Sequence, residues 1–324
     1  MKLIMESGAT KTDCCLLDSG GKVRSRFRIP GINVATMDFE AVSRVARDAV
    51  SCLRSAFSGE LPAGAIKEIF FYGAGVLEGQ ADGPKHFQTG ENPDSVSGND
   101  RISGACVPET LDSVLAEAFP GSGREYHSDL LAAARGLCGD RAGIVAILGT
   151  GSNSCLYDGK GIVRNIRPGG FILGDEGSAA ALGRLFLADY IKELLPEEVA
   201  EDFRNEYGLD YAAAVKFVYG SDAPARNLAS LAPYVMKWAG NEWIKDMIVR
   251  NFRDFFERCL MRYGAVDAGI YVTGSFGNAC RDVLESLGHE YGLEFQSFVP
   301  APMSGLEKYH ASSKTIRRTD VNYV

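Results

Sequence analysis

Long apolar runs are absent from this sequence. No window approaches the ~20 consecutive apolar residues that a membrane-spanning helix needs. The opening MKLIMESG is too short in its apolar part for a signal peptide. We therefore expect no membrane segment and a cytoplasmic location.

Metal-binding spacings are also missing. None of the eight cysteines forms a C-x-x-C pair, and the four histidines do not cluster at ligand spacing. This pattern predicts neither a zinc site nor a redox motif, nor a metal held by protein side chains alone. Most of the cysteines lie in apolar runs, which favours buried free thiols in a reducing compartment.

The chain has no excess of positive charge. Its net charge of −8 disfavours nucleic acid or an anionic membrane surface as the main partner. With 324 residues, 46% of them hydrophobic, it is long enough for two globular domains with large buried cores.

The most informative stretch begins with an apolar run, Ile144 to Leu148, which is short enough to be a buried strand. Gly149, Thr150, Gly151, Ser152 and Asn153 follow it. Two glycines and three small polar residues favour a turn whose N–H groups and hydroxyls face one way. Such a turn can cradle a phosphate, although the same residues also form ordinary tight turns.

A second polar run lies about twenty residues further on. It contains Asp175 and Glu176 and leads into a helix predicted from Ala179 to Leu187. We place both carboxylates in the first turn of that helix, where the helix dipole favours negative charge. The helix start would also attract anions. Together the two runs predict an enzyme that handles a phosphorylated compound and a hydroxyl-rich one, whereas Glu176 alone could be a simple cap.

Two similar half-molecules are indicated by an internal match. Cys15–Asp18 (CLLD) corresponds to Cys155–Asp158 (CLYD), and each follows a small, hydroxyl-rich turn. The first half opens with strands predicted at Lys2–Met5 and Asp13–Leu17, joined by a polar turn over residues 6–12. Both halves also contain a short apolar strand that stops at a Gly-rich turn, where ligands bind in α/β sheets.

Helical spacing and composition give the remaining elements. An apolar stripe predicts one long helix from Glu242 to Tyr263. Residues 78–108 are polar and rich in Gly, Pro, Asn and Asp, so they are predicted to be a mobile insertion.

Several of these segments carry motifs of one family. The chain resembles the N-acetylglucosamine kinases and related BadF/BadG/BcrA/BcrD-type ATPases of the actin, Hsp70 and sugar-kinase superfamily. The motifs that carry the resemblance are SGATKTD (7–13), FYGAG (71–75), SDLLAAARGLCGD (128–140), ILGTGSNS (147–154), GGFILGDEGSAAALG (169–183), VTGSFG (272–277) and APMSGLEKYH (301–310).

The resemblance implies an α/β fold of two ribonuclease-H-like, actin-like ATPase domains with an interdomain cleft. We expect one lobe over residues 1–127, containing the 78–108 insertion, and a second over 128–324 whose last helix packs back on the first. The implied cofactors are ATP and Mg²⁺. The implied assembly is a homodimer that binds a small-molecule sugar and a nucleotide.

The resemblance also implies a role for particular residues. Asp129 matches the catalytic aspartate, which accepts the proton of the sugar hydroxyl. The implied ATP-binding residues are Thr10, Lys11, Gly149, Thr150, Gly151, Gly274 and Asn278. The implied sugar-binding residues are Asn33, Asp129, Ser152, Asn153, Gly170 and Asp175. Glu6 would hold Mg²⁺ through water.

Each role has an ordinary structural alternative. Asp129 could be simply a helix cap, Lys11 could be a solvated loop lysine, and Asn33 could be a plain turn residue. Glu6 replaces the more usual aspartate, and Ser7 and Ala9 stand where glycine is common, so both could crowd a nucleotide if the backbone needs φ > 0 there.

Three functions remain open at this stage. The first is a kinase that phosphorylates O6 of N-acetylglucosamine or a close amino sugar. The second is an ATPase activator of a dehydratase or reductase, which would need paired cysteines for an iron–sulfur cluster. The third is a non-catalytic sugar or nucleotide sensor.

Overall fold

The computed structural model describes residues 1–8, 10–34, 37–55, 64–76, 106–264 and 268–312. Contacts divide the chain into two compact units, Met1–Asp129 and Leu130–Val324. Ala9 and residues 78–105 of the predicted insertion lie outside the described ranges, whereas residues 106–108 open a helix.

The described part of the first unit is a five-stranded mixed sheet with helices packed on it. Strand β1 is antiparallel to β2 and parallel to β4, and the sheet order is β3-β2-β1-β4-β5. Apolar side chains of the helices and of alternate strand positions form its core. The elements are β1 (Lys2–Ser7), β2 (Lys11–Leu17), β3 (Val23–Pro30), α1 (Phe39–Ser55), β4 (Glu68–Gly73), α2 (Cys106–Ala118) and β5 (Gly123–Ser128).

The second unit repeats this sheet and adds a large helical layer. Its sheet order is β10-β9-β6-β7-β8, with β6 antiparallel to β7 and parallel to β9. The elements are α3 (Asp129–Cys138), β6 (Gly143–Leu148), β7 (Ser152–Tyr157), β8 (Ile162–Ile166), α4 (Gly170–Leu173), α5 (Ala179–Tyr190), α6 (Glu197–Tyr207), α7 (Tyr211–Tyr219), α8 (Pro224–Ser230), α9 (Ala232–Lys237), α10 (Glu242–Arg258), β9 (Ile270–Thr273), α11 (Ser275–Ala279), α12 (Arg281–Tyr291), β10 (Phe295–Val299) and α13 (Met303–Ser312).

The two-fold repeat predicted from CLLD and CLYD is confirmed in detail. Oδ1 of Asp18 accepts hydrogen bonds from the N–H groups of Gly20 and Lys22, both at 2.9 Å. Oδ1 of Asp158 likewise accepts two backbone hydrogen bonds, from the N–H groups of Lys160 and Gly161, both at 2.8 Å. The strand register also shifts at matching places, between Leu16 and Leu17 and between Leu156 and Tyr157. The predicted α/β class is therefore built from one strand–hairpin unit used twice.

The first hairpin is longer than predicted. Glu6 and Ser7 belong to β1, and Lys11 and Thr12 belong to β2, so both strands extend into the predicted turn. Strand pairing continues because Ser7 and Thr12 are both fully buried and their hydroxyls lie 2.7 Å apart. The polar sequence suggested a turn here. Polar side chains can nevertheless be buried in a sheet when their hydroxyls form hydrogen bonds with each other.

The long helix predicted to reach Tyr263 ends earlier. Helix α10 stops at Arg258, and Leu260–Tyr263 form a tighter 3₁₀ turn. No helix in the described ranges is both long and apolar enough to cross a membrane.

Candidate functional site

The carboxyl edge of the first sheet gathers two acidic side chains. Ser7, Gly73 and Ser128 are paired across the parallel strands β1, β4 and β5, so these strands end at the same level. Asp129 follows Ser128 directly and is the first residue of α3. Glu6 lies one position before the end of β1. Ligands bind beyond such strand ends in α/β sheets.

Glu6 lies in a row of charged and aromatic side chains. Asp13, Glu6, Tyr72 and His127 are paired across four neighbouring strands, and directly paired residues point to the same face of a sheet. The rings of Tyr72 and His127 are 5.2 Å apart. This face of the first sheet is therefore the one that carries the predicted metal residue.

Burial and nearby carboxylates raise the pKa of Glu6 to about 7. Burial is the largest cause, the charges of Asp13 and Asp129 add to it, and Lys11 opposes them. The negative charge of Asp129 is thus felt at Glu6, which places these two predicted residues in one electrostatic environment. A cation beside Glu6 would favour its ionised form.

Lys11 is held by a neighbouring carboxylate. Its Nζ lies 2.9 Å from Oδ2 of Asp13, and Arg28 Nε lies 2.6 Å from the other oxygen. Burial raises the pKa of Asp13, but the hydrogen bonds from Arg28 and Lys11 outweigh it and hold that pKa below its usual range. Thr10, beside Lys11, is exposed at the hairpin turn.

Ser7 fastens the hairpin to the loop that contains Asn33. Its Oγ accepts a hydrogen bond from the N–H of Ile32 at 2.7 Å and lies 3.0 Å from the Ile32 carbonyl oxygen. Ser7 lies in a strand and is not among the described residues with positive φ. The expectation that it could crowd a ligand through a left-handed backbone is therefore wrong. Asn33, half-buried, follows Ile32 directly and is placed by this contact.

In the second unit, the turn Gly149–Gly151 is closed and supported by α5. The N–H of Gly149 donates to the Gly151 carbonyl at 3.0 Å. The carbonyls of Gly149 and Thr150 accept from the N–H groups of Ala179 and Ala180. No hydrogen bond within the described chain uses the N–H of Thr150 or Gly151. Neither donor is used by a described residue.

The start of α5 is not the anion site that the sequence predicted. Its first N–H groups donate to the turn, and the N–H of Ala181 donates to Oγ of the N-cap residue Ser178 at 3.0 Å. Asp175 and Glu176 precede the cap, so the expectation that they lie in the first helical turn is also wrong. Glu176 instead pairs with Arg258 at 2.6 Å.

Asp175 is the buried carboxylate of this region. It has φ of 54° and is only 9% exposed. Burial raises its pKa to about 6, the N–H of Ser152 lowers it by donating to the carboxylate, and Glu176 raises it further. A Cβ on Gly151 would lie 2.8 Å from Oδ2 of Asp175. The structure thus brings the Gly149–Gly151 turn, Ser152 and Asp175 together.

The segment that leads to Asp175 depends on glycine. Gly169 and Gly170 have φ of 78° and 74°, and a Cβ on Gly174 would overlap the Pro168 carbonyl oxygen. The N–H of Asp175 donates to that same Pro168 carbonyl at 2.8 Å. Gly170 is exposed at the start of the short helix α4.

Asn153 is held by residues that the sequence analysis missed. Its Oδ1 accepts a hydrogen bond from Nδ2 of Asn165 at 2.8 Å. Ser154, the next residue, has its Oγ 2.9 Å from the hydroxyl of Tyr263. No motif marks Asn165, and Tyr263 is far away in the chain, so only folding could reveal these contacts.

Gly274 and Asn278 lie at the same edge of the second sheet as the Gly149 turn. Strands β6 and β9 are parallel neighbours, with Ile147 opposite Thr273. Gly274 has φ of 113°, and a Cβ there would lie 2.2 Å from the Leu148 carbonyl oxygen. The N–H of Asn278 donates to the Gly274 carbonyl. This close approach explains why the position requires glycine.

Within the described ranges, no group of three or more His, Cys, Asp or Glu side chains is arranged to hold a metal ion. The described cysteines are free thiols, and all except Cys52 are buried. Burial of most cysteines agrees with the prediction made from their apolar surroundings.

Comparison with solved structures identifies a relative that aligns with nearly all of this chain. A protein from Porphyromonas gingivalis, named as a candidate N-acetylglucosamine kinase, is 36% identical to this chain with a TM-score of 0.81. The alignment covers 96% of this chain and 99% of that one.

A second structure, a candidate N-acetylglucosamine kinase from Chromobacterium violaceum, is 18% identical with a TM-score of 0.71. The alignment covers 95% of this chain and 98% of that one. At 18% identity, this similarity supports the shared fold and nothing more. No protein-family model matches the chain, and no curated protein matches it.

Proposed function

Because this chain belongs to the N-acetylglucosamine kinase-like family of the actin, Hsp70 and sugar-kinase superfamily, we propose that it is an ATP-dependent sugar kinase. The proposed reaction transfers the γ-phosphoryl group of ATP to O6 of N-acetylglucosamine or a close amino sugar. The observation that carries the proposal is the 36% identity maintained over 96% of the chain with a named candidate for that activity.

Asp129 is the proposed catalytic base. It is the first residue of α3 and is proposed to act as an ionised carboxylate. A carboxylate in this state can accept the proton of the sugar hydroxyl as the new bond to phosphorus forms. General-base catalysis of this kind typically contributes 10²–10⁴-fold to the rate.

The proposed phosphate-binding groups are the two hairpin turns. In the second unit, the unused N–H groups of Thr150 and Gly151 offer two donors to phosphate oxygens. In the first, Thr10 and Lys11 are the proposed counterparts, with Lys11 exchanging its contact with Asp13 for a phosphate. Gly274 and Asn278 are the proposed adenosine contacts.

Mg²⁺ fits the surroundings of Glu6. The carboxylate is raised in pKa by burial and by two neighbouring negative charges, and a divalent cation nearby would offset all three effects. We assign Glu6 to the ion through water because the family resemblance implies that role. When bound, Mg²⁺ neutralises charge on the phosphates that are transferred.

The proposed sugar contacts are Asn33, Ser152, Asn153, Gly170 and Asp175. Asp175 is buried and already accepts one backbone hydrogen bond, so its remaining lone pairs suit sugar hydroxyl donors. Unpaired buried polar groups discriminate strongly against a ligand that lacks the matching hydroxyl. This supports a sugar as the acceptor, whereas the choice among amino sugars rests on the family relationship.

A coupled ADP-release assay over a panel of sugars tests the proposal. Wild-type protein is expected to turn over N-acetylglucosamine or a close amino sugar, and NMR of the product is expected to show phosphate on O6. Asp129→Asn is expected to lose at least about 100-fold in kcat, with a smaller change in the KM for sugar.

Asp140→Asn is a matched control, because Asp140 is exposed just beyond the other end of α3. It should keep wild-type kinetics. Absence of turnover with every amino sugar, or full activity of Asp129→Asn, would contradict the proposed kinase.

A further inference from the structure

The amide of Asn165 is oriented by the backbone of its own sheet. Its Nδ2 lies 2.7 Å from the Ser154 carbonyl oxygen and 3.2 Å from the Ile166 carbonyl oxygen. Carbonyl oxygens can only accept, so the atom that faces them must be the nitrogen. The NH₂ group has two hydrogens, and the two shortest contacts use them: one donates to the Ser154 carbonyl and the other to Oδ1 of Asn153 at 2.8 Å.

The amide of Asn153 is oriented by two donors. Its Oδ1 accepts from the backbone N–H of Ser154 at 2.9 Å and from Asn165. A carbonyl oxygen has two lone pairs, so this oxygen is fully used. The other end of the Asn153 amide is its Nδ2 group, which makes no hydrogen bond with any other described residue. Asn153 therefore presents a donor.

We propose that Asn165 is a positioning residue that locks the Asn153 amide with its NH₂ group toward the sugar, so that the enzyme selects a sugar with a hydrogen-bond acceptor there. This inference rests on the proposed function, because it takes Asn153 as a sugar contact. Asn165 itself touches no substrate in this scheme.

The lock complements the neighbouring carboxylate. Asp175 is held by the N–H of Ser152, the residue before Asn153 in the chain. Asp175 can only accept hydrogen bonds when ionised, whereas the locked Asn153 amide can only donate. A fixed acceptor at Asp175 and a fixed donor at Asn153 favour one orientation of the sugar hydroxyls. An Asn153 amide that could rotate would accept both orientations.

Replacing Asn165 removes one of the two donors that fix Asn153. In Asn165→Ala, the Asn153 amide keeps only the Ser154 N–H and can turn by half a rotation. We expect the KM and Kd for sugar to rise about fivefold, which corresponds to ~1 kcal/mol for one hydrogen bond. The value of kcat should change little, because the contact acts equally before and during phosphoryl transfer.

Asn165→Asp is the sharper variant. It keeps the size of the side chain but cannot donate, so it loses the contacts with the Ser154 and Ile166 carbonyl oxygens and its carboxylate would attract the NH₂ group of Asn153 instead. The amide would then turn its carbonyl toward the sugar, so the loss of affinity should equal or exceed that of Asn165→Ala.

A double-mutant cycle separates positioning from a plain structural role. We would measure sugar KM by ADP release and sugar Kd by calorimetry for Asn165→Ala, Asn153→Ala and the double variant. If Asn165 acts only through Asn153, the double variant binds sugar as weakly as Asn153→Ala and no weaker. Losses that multiply would overturn the positioning role and leave the kinase proposal intact.

Asn227→Ala is the control for folding effects. Asn227 also donates from its amide to a backbone carbonyl, that of Phe217 at 2.7 Å, but it has no contact with Asn153. It should lower the melting temperature about as much as Asn165→Ala and leave sugar KM unchanged. Wild-type protein that neither binds nor phosphorylates any amino sugar would overturn the proposed function and the role of Asn165 together.

Discussion

Adding one methyl group at Gly151 should selectively damage the sugar side of the proposed reaction. The new Cβ would lie 2.8 Å from Oδ2 and 3.2 Å from Cγ of Asp175, closer than carbon and oxygen normally approach. Gly151 is not among the described residues with positive φ, so the backbone accepts alanine. The carboxylate must therefore move by several tenths of an ångström.

Asp175 cannot move without losing a contact. It is 9% exposed, has φ of 54° and takes a hydrogen bond from the Ser152 N–H. Hydrogen bonds to charged groups contribute roughly 1.5–3 kcal/mol. Loss of one such contact with the sugar, or its misalignment, predicts a fall of about 10- to 100-fold in kcat/KM for sugar in Gly151→Ala.

Gly149→Ala provides the matched control in the same turn. Nothing lies within 4 Å of a Cβ at that position, and its backbone φ is also not positive. Its effect should fall on the KM for ATP, because Gly149 is one of the proposed ATP-binding residues and its Cβ would touch no sugar-binding residue. The assay is ADP release with sugar varied at saturating ATP, and then with ATP varied at saturating sugar. Equal sugar kinetics in the two folded variants would refute the reasoning.

Two predictions concern stability. Because the pKa of Glu6 is raised from its ordinary 4.5 to about 7, the folded state binds an extra proton between these values, and its stability should fall as pH rises through this window. Urea unfolding at pH 5 and pH 8 should show that Glu6→Gln lacks this loss, and a parallel pH dependence in both proteins would contradict it. Ser7→Ala removes a buried hydroxyl and leaves the Ile32 N–H without its acceptor, so the free energy of unfolding should drop by ~1–3 kcal/mol; an unchanged urea midpoint would disprove that role.

Local sequence signals predicted the elements that depend on neighbours in the chain. The apolar run before Gly149 is a strand, and the match of Cys15–Asp18 to Cys155–Asp158 marks equivalent strands with equivalent turns. Such features follow from side-chain period and turn chemistry, which act over a few residues. They were sufficient for the repeat, whereas the α/β class was implied by the family resemblance.

Other features required the folded sheets. The raised pKa of Glu6 depends first on burial and then on the charges of Asp13 and Asp129, which folding brings near it. The start of α5 looked like an anion site, but the Gly149 turn takes its first N–H groups. No spacing rule foretells either result, because each joins residues that are distant in the chain.

The sequence by itself therefore determined the core of several strands, where the glycine turns fall and that the chain is built from two similar halves. Only the tertiary structure decided which polar groups meet. Ser7 binds Ile32, and Asn165 orients Asn153, because hydrogen bonds act within about 3 Å whereas the partners are 25 and 12 residues apart. Short-range forces can select such partners only after the chain has folded.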